Sequence, residues 1–183
     1  MVSDFRKKKL LHVFTVFFDT NRSGNIDSKD FELAIANITK SRGWNAGDAQ
    51  YNEVRDTLLR VWDGLQGRAD ANKDGEVSFD EWVSTWEEYT KNPSAAPQWL
   101  TDYSKFIFQL EDASNDGSID SEEFSSVYAS FGLNKAEAAT AFQKMSQGKS
   151  SVSWAEFQEL WKEYFTSEDA NAPGNFIFGK TDF

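Results

Sequence analysis

The residues best equipped for chemistry are oxygen donors set in a fixed rhythm. Residues 70–81 read DANKDGEVSFDE. Asp70, Asn72 and Asp74 are spaced by two, so a curling chain brings their side-chain oxygens to one point. Gly75 stands where the chain must turn sharply, with no Cβ in the way. Glu76 offers its backbone carbonyl while its side chain faces water. Ser78 holds the ninth place, where a ligand often acts through a water. Glu81 closes the loop with two carboxylate oxygens. Calcium takes six to eight hard oxygens, and this spacing supplies them. An acidic surface turn could match a few of these places by chance. A match at every required place, between two helical patterns, argues for an ion site.

Two more stretches repeat the rhythm. In residues 19–30, Asp19, Asn21, Ser23 and Asp27 fall in ligand places and Gly24 takes the turn. Asp30 closes this loop in place of Glu. One methylene shorter, it reaches an ion less easily with both oxygens, which favours six-coordination and brings magnesium in as a competitor to calcium. In residues 112–123, Asp112, Ser114, Asp116, Asp120 and Glu123 fall in ligand places and Gly117 takes the turn. With four carboxylates, this site ranks as tight, alongside 70–81. A fourth stretch, 145–156, keeps Val152 at the eighth place and Glu156 at the twelfth. It has Met145 where the first Asp should be, Lys149 at the fifth place and Ser150 at the turn. A lysine pointing into the site opposes a cation, so this loop is expected to be dead and to survive as a pairing partner. Three ions are therefore expected.

The composition agrees. The formal net charge of −11 favours cations and disfavours nucleic acid or an anionic membrane as partner. Three divalent ions would bring it to about −5. There is no cysteine and one histidine, which excludes a disulfide framework or thiolate site and argues against zinc. Sixteen Phe, seven Trp and five Tyr are too many aromatics for a disordered acidic chain. No signal peptide, membrane span or lipid-anchor motif is visible, and Val2 precludes N-myristoylation. The expectation is a soluble, cytoplasmic protein.

The elements that must position these loops are helices. Residues 4–18 carry Leu10, Phe14, Phe17 and Phe18 at helical spacing. The basic run Arg6 to Lys9 reads as a solvated face, with a docking patch as the alternative. Phe31, Leu33, Ala34, Ile35 and Ile38 continue the exit from the first loop. Residues 41–48 read as a turn ending in a helix cap at Asp48. A long helix follows over 49–69, with Val54, Leu58, Val61, Trp62 and Leu65 on one stripe. Residues 91–97 hold two of the three prolines and read as a linker. Helices over about 98–111 and 134–144, the latter capped by Asn134, serve the third and fourth loops. Ile26, Val77, Ile119 and Val152 share the eighth place, where a β-branched residue suits a short antiparallel contact between loops. Ile26 is expected to pair with Val77 and Ile119 with Val152. The fold class is all-α: four internal repeats in two pairs, with short antiparallel β contacts between paired loops. The expected organisation is an N-terminal pair over 1–90, a C-terminal pair over 98–165 and a tail over 166–183 that folds back to hide four large apolar residues.

The tail contains GNFIFGKT at 174–181, which satisfies the phosphate-loop pattern G-x-x-x-x-G-K-T. That motif works between a strand and a following helix. No such unit surrounds it here, so the sequence speaks against a nucleotide site.

Four repeats, a long second entering helix and a degenerate last loop resemble the sarcoplasmic calcium-binding protein family, and within it the calexcitins. The resemblance runs over essentially the whole chain, through residues 3–6 (SDFR), 30–35 (DFELAI), 61–65 (VWDGL), 81–82 (EW), 161–165 (WKEYF) and 174–179 (GNFIFG). It implies a mostly helical EF-hand fold and ions in loops one to three. The implied ligands are Asp19, Asn21, Ser23, Asn25 and Asp30; Asp70, Asn72, Asp74, Glu76 and Glu81; and Asp112, Ser114, Asp116, Ser118 and Glu123. It also implies a cytosolic role in buffering or signalling, and it raises guanine nucleotide (GTP) at the tail motif, which the local context opposes. Two functions compete: a calcium and magnesium buffer, and a calcium sensor that exposes an apolar face to a protein target. A sensor of the flexible kind uses a Met-rich groove. This chain has two Met, neither in such a place, and rigid aromatics instead. That favours the buffer. Catalysis is not expected: His12 alone is too few for the luciferin chemistry of similar photoproteins, and the carboxylates cluster at ligand spacing, not as an acid–base pair.

Overall fold

The computed structural model describes residues 1–183. Eight α-helices and two short strand pairs make up the four repeats. The first repeat is α1 (Asp4–Val13), a wider π-helical turn (Phe14–Phe18), β1 (Asn25–Ile26) and α2 (Ser28–Arg42). The second is α3 (Ala49–Ala69), β2 (Val77–Ser78) and α4 (Phe79–Lys91). The third is α5 (Gln98–Glu111), β3 (Ser118–Asp120) and α6 (Ser121–Ser130). The fourth is α7 (Lys135–Ser146), β4 (Ser151–Ser153) and α8 (Trp154–Thr166). No helix is long and apolar enough to cross a membrane.

All four exit helices start the same way. The ninth loop residue accepts a backbone N–H from the first helical turn, while the twelfth accepts the ninth residue's own N–H. The pairs are Asp27 with Asp30, Ser78 with Glu81, Asp120 with Glu123, and Ser153 with Glu156. Each is a capping box, which satisfies two orphan donors at once. Asp48 behaves differently. It stands at the cap of α3, but its carboxylate accepts the N–H of Asn45 at 2.7 Å and bonds no helical N–H.

The strand pairs follow the eighth-place reading: Ile26 lies opposite Val77, and Ile119 opposite Val152, both antiparallel. All four side chains are buried. A β-branched residue fills the narrow space between two loops and holds the loops in register.

The chain divides into two compact units, Leu11–Phe106 on one hand and Met1–Leu10 with Ile107–Phe183 on the other. The division runs inside α1 and α5, not at the proline-bearing stretch 91–97, which forms a short 3-10 turn at Pro93–Ala95. Side-chain packing explains this. In the first unit, Trp99 packs edge-on to Trp86 (6.0 Å between centroids) and Tyr103 packs on Phe18 (4.8 Å). Gly64 makes room for Trp99: a Cβ there would stand 2.5 Å from the Trp99 Cβ. Past Phe106, α5 serves the other unit, where Phe108 meets Trp154 and Phe157.

The basic run of α1 is not a solvated face. Lys7 and Lys8 are exposed, but Arg6 and Lys9 retain only 6% and 1% exposure. Arg6 donates to the Phe165 carbonyl and pairs with Glu168; Lys9 Nζ donates to the Ser167 carbonyl and to Asn175 Oδ1, both at 2.9 Å. The Tyr164 hydroxyl returns a bond to the Lys9 carbonyl at 2.7 Å. Helical spacing puts residues 6, 9, 10 and 13 on one face, and that face is the buried one. Burial first, and Arg6 second, lower the Lys9 ammonium to a pKa of about 8. In this unit Ala172 and residues 174–179 of the tail are buried. Phe178 packs against Trp161, Tyr164 and Phe165, and the Ile177 carbonyl accepts the Tyr128 hydroxyl at 2.8 Å.

Candidate metal centres

Three loops share one internal architecture. In each, the first carboxylate bends inward and accepts the N–H groups of the fifth and sixth residues. Asp19 takes those of Ser23 and Gly24 (2.8 and 2.9 Å), Asp70 those of Asp74 and Gly75 (3.2 and 3.0 Å), and Asp112 those of Asp116 and Gly117 (3.1 and 3.0 Å). In each, the twelfth carboxylate reaches back to the N–H of the third residue and that of the ninth. Asp30 accepts from Asn21 (2.9 Å) and Asp27 (2.8 Å), Glu81 from Asn72 (3.4 Å) and Ser78 (2.9 Å), and Glu123 from Ser114 (2.8 Å) and Asp120 (3.1 Å). The fourth and sixth residues of each loop have positive φ: Arg22 and Gly24, Lys73 and Gly75, Asn115 and Gly117. That backbone is the reason glycine stands at the sixth place.

The donor chemistry fits a hard divalent cation. Each loop brings inward-bent carboxylates at the first and twelfth places, an amide or hydroxyl oxygen at the third (Asn21, Asn72, Ser114), a hydroxyl or carboxylate at the fifth (Ser23, Asp74, Asp116) and a backbone carbonyl at the seventh. No three carboxylates meet at one point; the fifth-place carboxylates Asp74 and Asp116 accept the N–H groups of Glu76 and Ser118 at 3.0 and 2.9 Å, and the remaining donors are Asn, Ser and main-chain oxygens. The ninth residues, which the spacing placed among the ligands, spend their side chains on capping. The loops also differ in charge. Backbone N–H donation, chiefly from Ser78, holds the Glu81 carboxyl below the usual range, and the Ser118 hydroxyl does the same for Asp116. Asp30 is 0% exposed, and that burial raises its pKa despite its two N–H partners.

The fourth loop is built differently. α7 runs through Ser146, so Met145 lies within the helix at 2% exposure. Positive φ falls at the third and fourth places, Gln147 and Gly148, and not at the sixth, Ser150. Glu156 still accepts the Ser153 N–H, but its other oxygen takes Lys149 Nζ at 2.5 Å. Lys149 thereby lowers the Glu156 pKa to about 2.

The phosphate-loop pattern at 174–181 is wound into the core. Glu163 accepts the Gly174 N–H at 2.6 Å, and Glu137 accepts both the N–H and the hydroxyl of Thr181 at 3.1 Å. Lys180 lies over the Phe183 ring and pairs with Asp182. Gly174, Lys180 and Thr181 thus face carboxylates, and the N–H groups of Asn175, Ile177 and Gly179 face the carbonyls of Ala172, Gly174 and Phe176, where a phosphate site needs them free.

Sequence reasoning missed four groups that the fold employs. Arg6 and Lys9 were hidden by reading every base as solvent-facing. The bond from Asn25 Nδ2 to Glu76 Oε2 (2.7 Å) gives Glu76 a side-chain partner in place of the expected water. Glu111, fully buried at the end of α5, has a carboxyl pushed well above the usual range by that burial. Only the i, i+3 spacing of Arg6 and Lys9 carried a signal.

Known proteins share this arrangement. The EF-hand family matches residues 17–34, 67–84 and 107–128, the three loops of common architecture. Calexcitin-1 of Caenorhabditis elegans is 33% identical over all of this chain and 90% of its own length. Sarcoplasmic calcium-binding proteins I, III and IV of Branchiostoma lanceolatum are 32% identical over 98% of both chains. The solved structure of an amphioxus sarcoplasmic calcium-binding protein superposes with a TM-score of 0.81, at 31% identity, over 97% of this chain and 98% of that one. Shared sequence along the full length and shared helical architecture place this chain in the family of sarcoplasmic calcium-binding proteins and calexcitins, as an EF-hand calcium-binding protein.

Proposed function

We propose that the protein is a three-site calcium buffer whose first loop also takes magnesium. The ligands are Asp19, Asn21, Ser23, Asp30 and the Asn25 carbonyl; Asp70, Asn72, Asp74, Glu81 and the Glu76 carbonyl; and Asp112, Ser114, Asp116, Glu123 and the Ser118 carbonyl. The fourth loop takes no ion, because Met145 supplies no oxygen and the Lys149 ammonium occupies Glu156. The short, buried Asp30 supports magnesium at the first loop, where a compact six-coordinate site suits the smaller ion.

The observation that carries buffer over sensor is that the chain covers its own apolar surface. Phe178 and Ile177 lie buried among α6 and α8 residues, and Phe14, Phe18, Trp82, Trp86 and Trp99 fill the other unit. A sensor presents an open apolar groove in its ion-bound state. A second reading retains one supporting contact: Tyr128, on the exit helix of the third loop, holds the tail through Ile177. A shift of that helix could release the tail and make a sensor.

Fluorescence of an apolar-surface probe separates the two. It is measured metal-free, with magnesium, and with magnesium plus calcium. A buffer gives flat or falling probe binding when calcium is added to the magnesium form. A strong rise would mean that an apolar face opens, and the sensor reading would replace this one.

A further inference from the structure

Where the last turn of α4 meets the start of α5, inside the unit Leu11–Phe106, the surface opens into a cleft of about 130 Å³. Its floor is buried and includes Trp86, Tyr89, Trp99 and Leu100. Its rim is exposed. Arg68 of α3 and Glu88 of α4 pair across it at 3.4 Å, and Ala95 joins them from the turn Pro93–Ala95. The Trp86 ring stands at 89° to Tyr89 and 75° to Trp99, with centroids 5.6 and 6.0 Å apart. Rings crossed in this way do not stack flat, and they leave an apolar corner between them.

One polar group of this floor is unspent. Trp99 is 4% exposed, and its indole N–H is buried with no acceptor in the protein. A buried donor without a partner is rare in folded chains. The five-membered edge of the indole lies along α3: a Cβ on Gly64 would stand 3.2 Å from Trp99 Cδ1, the atom bonded to that nitrogen. Arg68 stands four residues on, over the same face of α3, and lines the cleft. The nitrogen edge of Trp99 therefore lies along the helix face from which the rim rises.

We propose that this cleft binds a compact, uncharged apolar molecule carrying one hydrogen-bond acceptor, which takes the Trp99 N–H. An apolar cavity of about 150 Å³ holds one benzene, so the space suits a single six-membered ring or a branched chain of similar bulk. The acceptor sits on the inner end of the molecule, because the donor it meets is buried. A carboxylate in that place would lose more hydration than one N–H returns, and the chain's charge of −11 repels anions. The Arg68–Glu88 pair leaves the entrance without net charge, so it selects no cation either. None of these residues is an ion ligand, and the site stands independently of the buffering reading.

The test is NMR of the full chain saturated with calcium, titrated with pyridine and with benzene at neutral pH, where pyridine is uncharged. The two rings match in size, and only pyridine carries an acceptor. The Trp99 indole N–H signal is identified by its loss in Trp99→Phe. Both probes should give saturable shifts at the Gly64 and Leu100 amides, and pyridine alone should move the Trp99 indole proton downfield. Trp99→Phe should cost pyridine about three- to tenfold more affinity than it costs benzene, the worth of one hydrogen bond, since the change of shape falls on both probes alike. Ala95→Phe, at an exposed rim position, fills the mouth and should abolish both titrations. If neither probe saturates in the unmodified chain, the cleft holds water only and the proposal falls. Equal losses for the two probes in Trp99→Phe overturn the part given to the indole. Shifts that persist in Ala95→Phe put the binding elsewhere and overturn the site. Should Trp99→Phe not fold, the direction of the indole shift in the unmodified chain decides.

Discussion

At the twelfth place of each of the first three loops, one carboxylate accepts two backbone N–H groups, from the third residue and from the ninth. Those bonds hold the loop coiled and orient the carboxylate. Substituting Gln keeps the shape and one oxygen but removes the charge that a divalent ion needs. Glu81→Gln and Glu123→Gln should each lower the number of tightly bound calcium ions by one, as read by equilibrium dialysis; unchanged stoichiometry in both would sink the ligand assignment. At the fourth loop the first place is beyond repair by one change. Met145 is buried inside α7. Met145→Asp would put a carboxylate into the core, so it should destabilise the protein by about 2–4 kcal/mol in urea unfolding and add no ion. A fourth bound calcium in that variant would show that the loop is limited by its ligands and not by its backbone.

The element that most depends on close approach is the tail turn at Pro173–Phe176. Gly174 lies so near α8 that a Cβ would stand 2.5 Å from the Leu160 carbonyl oxygen and 2.7 Å from the Glu163 Cβ. The clash with backbone cannot be relieved by a rotamer, so Gly174→Ala should lift the tail off α8. Raised binding of an apolar probe, with calcium present throughout, is the expected outcome; unchanged probe binding would mean that the tail covers little. α1 is fastened in the same unit by Lys9. Because the folded state holds this lysine at about 8 instead of the usual 10.5, the unfolded chain binds more protons between those values. Burying the charge is fully penalised below about pH 8, and stability gains as the pH rises from there toward 10.5. Charges facing Lys9 are Arg6, Glu168 and Glu163. Lys9→Met should abolish that rise: urea midpoints of the two proteins, compared at pH 7.5 and pH 9.5, should diverge in favour of the unmodified chain. A constant difference would place the Lys9 pKa near its ordinary value.

Across the whole molecule, a formal charge of −11 is carried by a chain whose ion loops gather carboxylates at short range. Ions that bind only the folded state stabilise it by mass action, by about 2.7 kcal/mol per site at a hundredfold excess over Kd. For a chain of this length each such site should raise the melting temperature by roughly 5–10 °C. Chelation should therefore lower the calorimetric Tm in proportion to the number of ions removed, and Glu123→Gln should reduce the calcium-dependent part by one site's share. A Tm indifferent to chelator would contradict folding-linked binding. Calcium binding follows from membership in the family; the number of ions and the buffering role are what these measurements decide.

Much of the architecture was legible because it is local. Loop spacing, the β-branched eighth places and the helical stripes all act within about a dozen residues, so the four repeats, the helix over 49–69 and the pairings of Ile26 with Val77 and Ile119 with Val152 could be read directly. The ligand sets are equally local in spacing, and the three loops adopt one hydrogen-bonding pattern. What needed the tertiary structure is what joins distant parts of the chain. Hydropathy assigns Arg6 and Lys9 to solvent; only the carbonyls of Phe165 and Ser167, some 160 residues away, make their burial favourable. The division of α5 between two units depends on which aromatic residues meet it, and the partner of Glu76 depends on the ladder that brings Asn25 beside it. Local spacing determined where oxygen donors stand, because backbone geometry repeats. The chain-distant contacts determined which polar groups are satisfied without water, and those could only be decided once the chain had packed.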